Sequence, residues 1–295
     1  MNPSENKKVI LITGCSSGFG LLTAARLSGL GHHVFATMRN LQKKDALLAE
    51  VKKRGGTVNL LELDVNNVKT IEIVVQKIEK EFGRIDVLVN NAGFGVGGFF
   101  EDLSETDIRQ QMDTNFFGVQ SVTRAVIPLM RKNHSGKIIN LSSIAGLYAL
   151  PAFSAYNASK WAVEGFSESL LYELKPFGIS VCLIEPGTYR TTIFFENRRC
   201  AKDFDNPKSP YYGSSQALKK RVDQFVANDK KDPEDIAILI EKLINSPRPP
   251  FRNIPDRRSK ILYFLRRFLP FGLFSFILYT LLFFGTSKKA SGQTS

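Results

Sequence analysis

Three cysteines and three histidines are all that 295 residues contain of the soft metal ligands. Cys15, Cys182 and Cys200 have no metal-ligand spacing, and an odd, scattered set provides no disulfide framework. A structural zinc module and a disulfide-stapled secreted scaffold are therefore excluded, no metal is expected, and a reducing compartment fits best. His32, His33 and His134 fall at expected helix or loop ends and are assigned no catalytic role. Residues 1–7 are polar and lack the apolar stretch of a secretion signal, so the expected location of the catalytic part is cytoplasmic. Short-period repeats and internal linkers are also missing.

Acidic charge is scarce too. There are 28 Asp and Glu against 40 Lys and Arg, a formal net charge of +12 at pH 7. The excess is concentrated: Arg248, Arg252, Arg257, Arg258, Lys260, Arg266 and Arg267 face only Asp256 between positions 248 and 267. Such a run can be a solvated surface or can meet anionic lipid. No nucleic-acid partner is expected.

What is present is a regular alternation of apolar runs and amphipathic stretches. Strands are expected at Val9–Thr13, Val34–Thr37, Val58–Leu63, Ile85–Val89, Lys137–Leu141 and Ile179–Ile184. Helices are expected at Gly18–Gly31, Leu41–Arg54, Asn67–Phe82, Thr106–Arg131, Ala155–Lys175 and Pro233–Ile244. The strands are near-continuous apolar runs, the mark of strands buried on both faces of a parallel sheet. Repeated βα units then imply an α/β fold with a doubly wound parallel sheet, a Rossmann fold. One domain is expected over 8–250, with a polar, irregular, lid-like insertion at about 188–232. A basic linker (251–267), an apolar appendage (268–287) and a polar tail (288–295) follow.

The first strand runs into Thr13-Gly14-Cys15-Ser16-Ser17-Gly18-Phe19-Gly20 and then a helix. Glycines let the backbone approach a pyrophosphate, and a helix N-terminus offers free N–H groups and positive dipole. That setting points to a dinucleotide. An acid at the end of the second strand would bond a ribose 2′-hydroxyl, but the sequence there is Ala36-Thr37-Met38-Arg39-Asn40. Arg39 could instead pair with a 2′-phosphate, which favours NADP(H) over NAD(H). Tyr156 and Lys160 stand four apart, hence on one helix face. A phenol of ordinary pKa near ~10 is a weak base at neutral pH. A neighbouring ammonium favours the phenolate and lowers that pKa.

These motifs, in this order, resemble the short-chain dehydrogenase/reductase family, steroid- and retinol-dehydrogenase-like members in particular. The phosphate turn has the family's T-G-x-x-x-G-x-G spacing, and Asn90-Asn91-Ala92-Gly93 is similar to its N-N-A-G loop. Asn115, Ser143, Tyr156 and Lys160 fall where the family has its catalytic set. Pro186-Gly187 with Thr188 and Thr191 is similar to the segment holding the nicotinamide end. The match covers roughly residues 7–250.

The resemblance implies reversible alcohol/carbonyl redox. Tyr156 would be general acid/base, Ser143 would hold the substrate oxygen, and Lys160 would tune Tyr156 and bind the nicotinamide ribose. Asn115 would anchor a water in a proton relay. Asp64 and Val65 would contact the adenine. Gly14, Ser16, Ser17, Gly18, Phe19, Gly20, Arg39, Asn91, Ala92, Gly93, Pro186, Gly187, Thr188 and Thr191 would complete the cofactor site. The resemblance also implies a homodimer through the helices containing Asn115 and Tyr156. Phe94, Phe99, Leu147, Tyr148, Leu150 and Phe153 are expected to line the pocket, which suggests a hydrophobic substrate such as a steroid, retinoid or lipid-derived ketone. The competing reading is a non-catalytic dinucleotide-binding sensor or scaffold, against which the presence of both Tyr156 and Lys160 speaks.

Phe268–Ser287 holds no charge over 20 residues, between Arg266-Arg267 and Lys288-Lys289. About 20 apolar residues can span a bilayer. Pro270, Gly272 and Ser275 weaken the first part, and only Phe276–Phe284 is densely apolar. Arg266-Arg267-Phe268-Leu269-Pro270 also resembles a family segment that leads into a pocket-covering C-terminal helix. Membrane association is expected, with spanning, lying on the surface and covering the pocket left open.

Overall fold

The structure is a computed structural model that describes residues 7–189, 199–227 and 231–283. Its centre is a seven-stranded, all-parallel sheet. In chain order the strands and helices are β1 (Val9–Ile12), α1 (Gly18–Gly29), β2 (His33–Met38), α2 (Asp45–Lys53), β3 (Val58–Glu62), α3 (Val68–Phe82) and β4 (Val87–Asn90). Next come β5 (Val96–Gly97), α4 (Glu105–Met112), α5 (Gly118–Lys132), β6 (Gly136–Leu141), α6 (Ser154–Leu174), β7 (Ile179–Ile184) and β8 (Arg199–Cys200). The remainder are α7 (Tyr212–Ala227), α8 (Glu234–Asn245), β9 (Arg252–Asn253), α9 (Arg257–Phe268) and α10 (Phe271–Phe283).

The spatial order is β3-β2-β1-β4-β6-β7-β9. Winding reverses between β1 and β4, and in such sheets the crevice beyond the strand ends at that reversal receives ligands. The all-apolar character of β1 has a direct cause. Ile10 and Ile12 pack into the core on one face, Val9 and Leu11 into the core on the other. Alternate side chains of one strand thus fill two separate layers.

Three stretches differ from expectation. Residues 209–232 contain a 16-residue helix, α7, where an irregular lid was expected. Its apolar spacing is sparse, with buried Leu218 and Val226 and pocket-lining Val222 four apart among polar neighbours. The expected helix Thr106–Arg131 is interrupted by a π-helical turn, Asp113–Phe117, which separates α4 from α5. The sheet also continues past residue 250. Arg252 and Asn253, expected in a basic linker, pair in parallel with Leu183 and Ile184 as the seventh strand, and α9 follows.

The apolar appendage folds into α10, 13 residues up to Phe283. At 1.5 Å per residue that is about 20 Å, short of the ~30 Å hydrocarbon layer. Among the described residues no helix is long and apolar enough to cross a membrane. Phe274 is buried against Tyr148, ring centroids 6.1 Å apart, and so pins α10 to the catalytic domain.

Candidate active site

The turn after β1 and the loop after β4 are tied together at the reversal point. Asn91 Nδ2 donates to the carbonyls of Thr13 and Gly14 at 2.9 and 3.0 Å. Thr13 Oγ1 accepts from the backbone of Asn91 and Ala92 at 3.1 and 3.0 Å. So close an approach leaves no room for side chains. A Cβ on Gly20 would lie 2.4 Å from Asn91 Nδ2, and one on Gly14 would lie 2.8 Å from Ala92 Cα. Gly14 also has φ +74°, a conformation natural to glycine.

These residues fit a dinucleotide. Ser17 sits at the N-cap of α1 without a side-chain cap, so the first-turn N–H groups face the crevice uncapped by it. Gly18, Phe19 and Gly20 form that first turn, with Ser16 just before it. Arg39 ends the β2 run exposed, with no hydrogen bond or ion pair among the described residues. Asp64 and Val65 follow β3; Val65 is buried, and Asp64 Oδ1 accepts from the backbone of Asn66.

Asn115 lies in the π turn and is buried. It accepts from Phe94 N at 3.1 Å and donates to Phe94 O at 2.9 Å and to Ser159 Oγ at 3.2 Å. A π turn inserts one residue and re-aims what it carries, which is why such turns gather at functional sites. Gln111 supports the same loop, accepting from Val96 N at 2.9 Å and donating to Phe94 O at 2.7 Å.

Ser143 lies two residues beyond β6, its hydroxyl accepting from Ala145 N at 3.1 Å. Tyr156 and Lys160 project from α6 beside it. Burial pushes the Tyr156 phenol above its ordinary pKa, and the hydrogen bond with Ser143 draws it part of the way back. This differs from the expected lowering by Lys160. The Lys160 ammonium sits 5.8 Å from the Tyr156 ring centre and donates to Leu141 O at 2.7 Å. Burial pushes Lys160 down to about 8, opposed by the Glu164 carboxylate. The low dielectric that lowers the lysine therefore raises the tyrosine, as desolvation disfavours both charged forms.

One cleft brings these groups together, with an empty volume of about 1280 Å³ counted to its open mouth. Ser143, Tyr156 and Lys160 meet there with Phe19, Asn91 and Gly93 from the cofactor side. Pro186, Gly187 and Thr188 close it from the end of β7, while Thr191 lies outside the described residues. Of the expected apolar lining, Phe94, Leu150 and Phe153 are present. The other three point elsewhere. Leu147 and Tyr148 pack with Phe274 under the C-terminal helices, and Phe99 stacks on Tyr211 with centroids 4.8 Å apart. Among the lining residues that escaped the sequence reading are Ile144, Asn157, Arg199 and Val222. Arg199 lies over the Phe94 ring at 4.4 Å, and Val222 reaches in from α7. Arg199 arrives through the pairing of β8 with β5, for which local sequence carries no signal.

A family profile described as short chain dehydrogenase matches residues 8–201. Over 245 residues the chain is 41% identical to 3-ketodihydrosphingosine reductase of Bacteroides thetaiotaomicron, covering 83% of this chain and 86% of that protein. It is 36% identical to retinol dehydrogenase 8 of Bos taurus, covering 91% and 88%. A short-chain dehydrogenase/reductase from Burkholderia phymatum, solved in complex with NAD, superposes with a TM-score of 0.77 at 28% identity, covering 88% of this chain and 93% of that one. The chain belongs to the short-chain dehydrogenase/reductase family, oxidoreductases that use a nicotinamide dinucleotide on alcohol and carbonyl groups.

Proposed function

We propose that this protein interconverts a hydroxyl and a carbonyl group on a hydrophobic substrate, preferring NADP(H), with Tyr156 as general acid/base. One observation carries the reading: Tyr156, in one cleft with Ser143 and one helical turn from Lys160, shares that cleft with the glycine-turn residue Phe19 and the Pro186–Thr188 segment. The bound nicotinamide supplies or accepts the hydride. The chain supplies the rest. Ser143 holds the substrate oxygen against Tyr156. In reduction the phenol gives its proton to that oxygen, and its raised pKa keeps the proton in place until then. In oxidation the phenolate takes the proton back, with the Lys160 ammonium as the nearby positive charge. Gly14, Ser16 to Gly20, Asn91 to Gly93, Asp64 and Val65 hold the cofactor. Pro186, Gly187, Thr188 and Thr191 hold its nicotinamide end, and Arg39 reads the 2′-phosphate.

The pocket walls favour an apolar substrate, since Phe94, Ile144, Leu150 and Phe153 surround the three polar groups. The two relatives are named for 3-ketodihydrosphingosine and for retinol, which agrees with that class. The test is a panel of steroid, retinoid and long-chain ketones with NADPH or NADH, following nicotinamide absorbance. Turnover by wild type and its loss in Tyr156→Phe support the reading. A wild type that binds NADPH without turning over any ketone or alcohol would sink it in favour of a dinucleotide-binding scaffold.

Lipid contact is part of the proposal. Eight of the seventeen large apolar side chains exposed among the described residues lie on α9 and α10: Ile261, Phe264, Phe268, Phe271, Leu273, Phe276, Tyr279 and Leu281. Arg257, Arg258, Lys260 and Arg267 are exposed beside them, and neither helix contains an acid. Basic and apolar residues on one short helical pair suit the interface of an anionic bilayer, lying in its plane. Homodimerisation through the helical segments containing Asn115 and Tyr156 is proposed from exposed Phe117 in the π turn and Trp161 on α6, half-open at 50% and 46%. Light scattering at micromolar concentration decides it.

A further inference from the structure

Behind Lys160 lies a cluster of buried charge that the proton transfer itself does not use. Glu164 follows Lys160 by one turn of α6 and is 7% exposed. Lys160 Nζ donates to Leu141 O at 2.7 Å, and Ser142 Oγ donates to Glu164 Oε1 at 2.5 Å. Two charged side chains, one turn apart, thus hold the two consecutive residues that precede Ser143. The second Glu164 oxygen accepts from Arg252 Nη1 at 2.6 Å. The same nitrogen donates to Glu185 Oε1 at 2.8 Å. Glu185 is fully buried, and its other oxygen accepts from Asn253 N at 2.8 Å. Glu185 directly precedes Pro186-Gly187. One guanidinium therefore joins the ends of β6 and β7 to α6.

Stability is a poor explanation for such a bridge. Replacing a buried ion cluster by apolar side chains is often neutral or favourable, whereas breaking it by removing one partner is costly. Its position is the informative feature, because Lys160 and Glu164 hold Leu141 and Ser142 just before Ser143, and Glu185 is itself the residue before Pro186.

We propose that Glu164 is a positioning residue of the reaction centre, fixing the Ser142–Ser143 turn directly and Pro186–Gly187 through Arg252 and Glu185, while serving as the counter-charge to Lys160. The inference rests on the proposed roles of Ser143, Tyr156 and Lys160. The groups facing Glu164 are Lys160 on its own helix, the Ser142 hydroxyl at the end of β6 and Arg252 on β9. Behind Arg252 stand Glu185 and, from α9, Tyr263, whose ring centre is 5.7 Å from the guanidinium carbon. Tyr156 is two turns back on α6. One arginine shared by two carboxylates leaves one of them prone to protonation. Burial and the Glu164 charge push Glu185 up to about 8, while Glu164 opposes the downward push of burial on Lys160.

Glu164→Gln keeps the shape and removes the charge. Losing a nearby negative charge disfavours the ammonium of Lys160 and favours the phenolate of Tyr156, so both groups titrate at lower pH. The measurement is the pH profile of kcat/KM for NADP-dependent oxidation of an alcohol that the wild type turns over. In Glu164→Gln the profile moves to lower pH by about half a unit or more, and kcat falls about tenfold or more as Ser143 loses its support. Glu164→Asp retains the charge but not the reach. Its profile stays at the wild-type position while kcat is reduced.

A Glu164→Gln profile that superimposes on wild type, at whatever rate, overturns the inference. Should Glu164→Gln yield no folded protein, Glu164→Asp decides: reduced kcat on an unmoved profile supports it, and wild-type kcat overturns it. A wild type that binds NADPH but turns over nothing overturns the proposed function and this inference with it. Turnover with an unmoved profile overturns this inference alone.

Discussion

Asn115 clasps the backbone of Phe94 from both sides, accepting from its N–H at 3.1 Å and donating to its carbonyl at 2.9 Å. The same amide reaches Ser159, whose hydroxyl donates to the carbonyl of Tyr156 at 2.8 Å. One side chain thus spaces the pocket loop from the helix that carries the phenol. Asn115→Leu would leave Phe94 N without its partner, at about 1–3 kcal/mol for the group left unsatisfied, while Phe94 O keeps its bond from Gln111. The melting temperature should fall by several degrees. kcat should fall about tenfold or more, while the KM for NADPH changes little, because the phosphate turn is untouched. A variant with wild-type kcat would show that the clasp has no part in placing Tyr156.

Much of this was readable beforehand, and the reason is local. β1 buries Ile10 and Ile12 on one face and Val9 and Leu11 on the other, so the strand appears in sequence as an unbroken apolar run. Tyr156 and Lys160 are adjacent through the geometry of one helix, and Thr13 to Gly20 is a single turn. The unread features are made by distant pairings. Arg199 reaches the cleft because β8 pairs with β5, and Arg252 meets Glu164 from 88 residues away. Tyr148 and Phe99 carried the right chemistry for a pocket wall, yet Phe274 and Tyr211 claim them. Nothing in the spacing of either residue distinguishes a distant aromatic partner from a substrate.

Arg39 gives the cofactor preference a sharp test. It is exposed at the end of the β2 run, and no acid stands there to repel a 2′-phosphate. A charge-assisted contact to phosphate contributes about 1.5–3 kcal/mol, or roughly 10–100-fold in affinity. Arg39→Ala should raise the Kd for NADPH by that factor and leave the Kd for NADH within about twofold. Arg39→Asp should reverse the preference. Equal Kd values for the two cofactors in wild type, measured by fluorescence titration, would reject the assignment.

The C-terminal helices separate two contributions that one mutation cannot. Phe274 is buried against Tyr148, so Phe274→Ala leaves a core cavity and should cost about 3–5 kcal/mol if α10 stays docked. Phe268 and Phe276 are 76% and 68% exposed. Replacing both with Ser should leave the melting temperature within about 2 °C, since exposed substitutions away from packing are near neutral. The same double variant should lose flotation with vesicles containing anionic lipid. Wild-type protein that fails to float with anionic vesicles, or floats equally with neutral ones, would reject the bilayer surface as the partner.

The pH dependence of carbonyl reduction follows from opposite shifts on two neighbours. Burial raises the Tyr156 pKa, so the phenol keeps the proton it must donate throughout the neutral range. Burial lowers Lys160 to about 8, so its ammonium is the charge lost first as pH rises. Below that value both groups are protonated and kcat/KM for reduction should be flat. Above it the positive charge that offsets the developing phenolate disappears, and kcat/KM should fall as pH rises through about 8. Lys160→Arg puts a group in this position that stays charged at every accessible pH. Its rate should be lower, because a planar fork cannot reproduce the single contact to Leu141 O, but its decline should begin at higher pH. A wild-type profile that stays flat to pH 10, or an Lys160→Arg decline that still begins near 8, would remove Lys160 from the titration and leave Tyr156 to account for it.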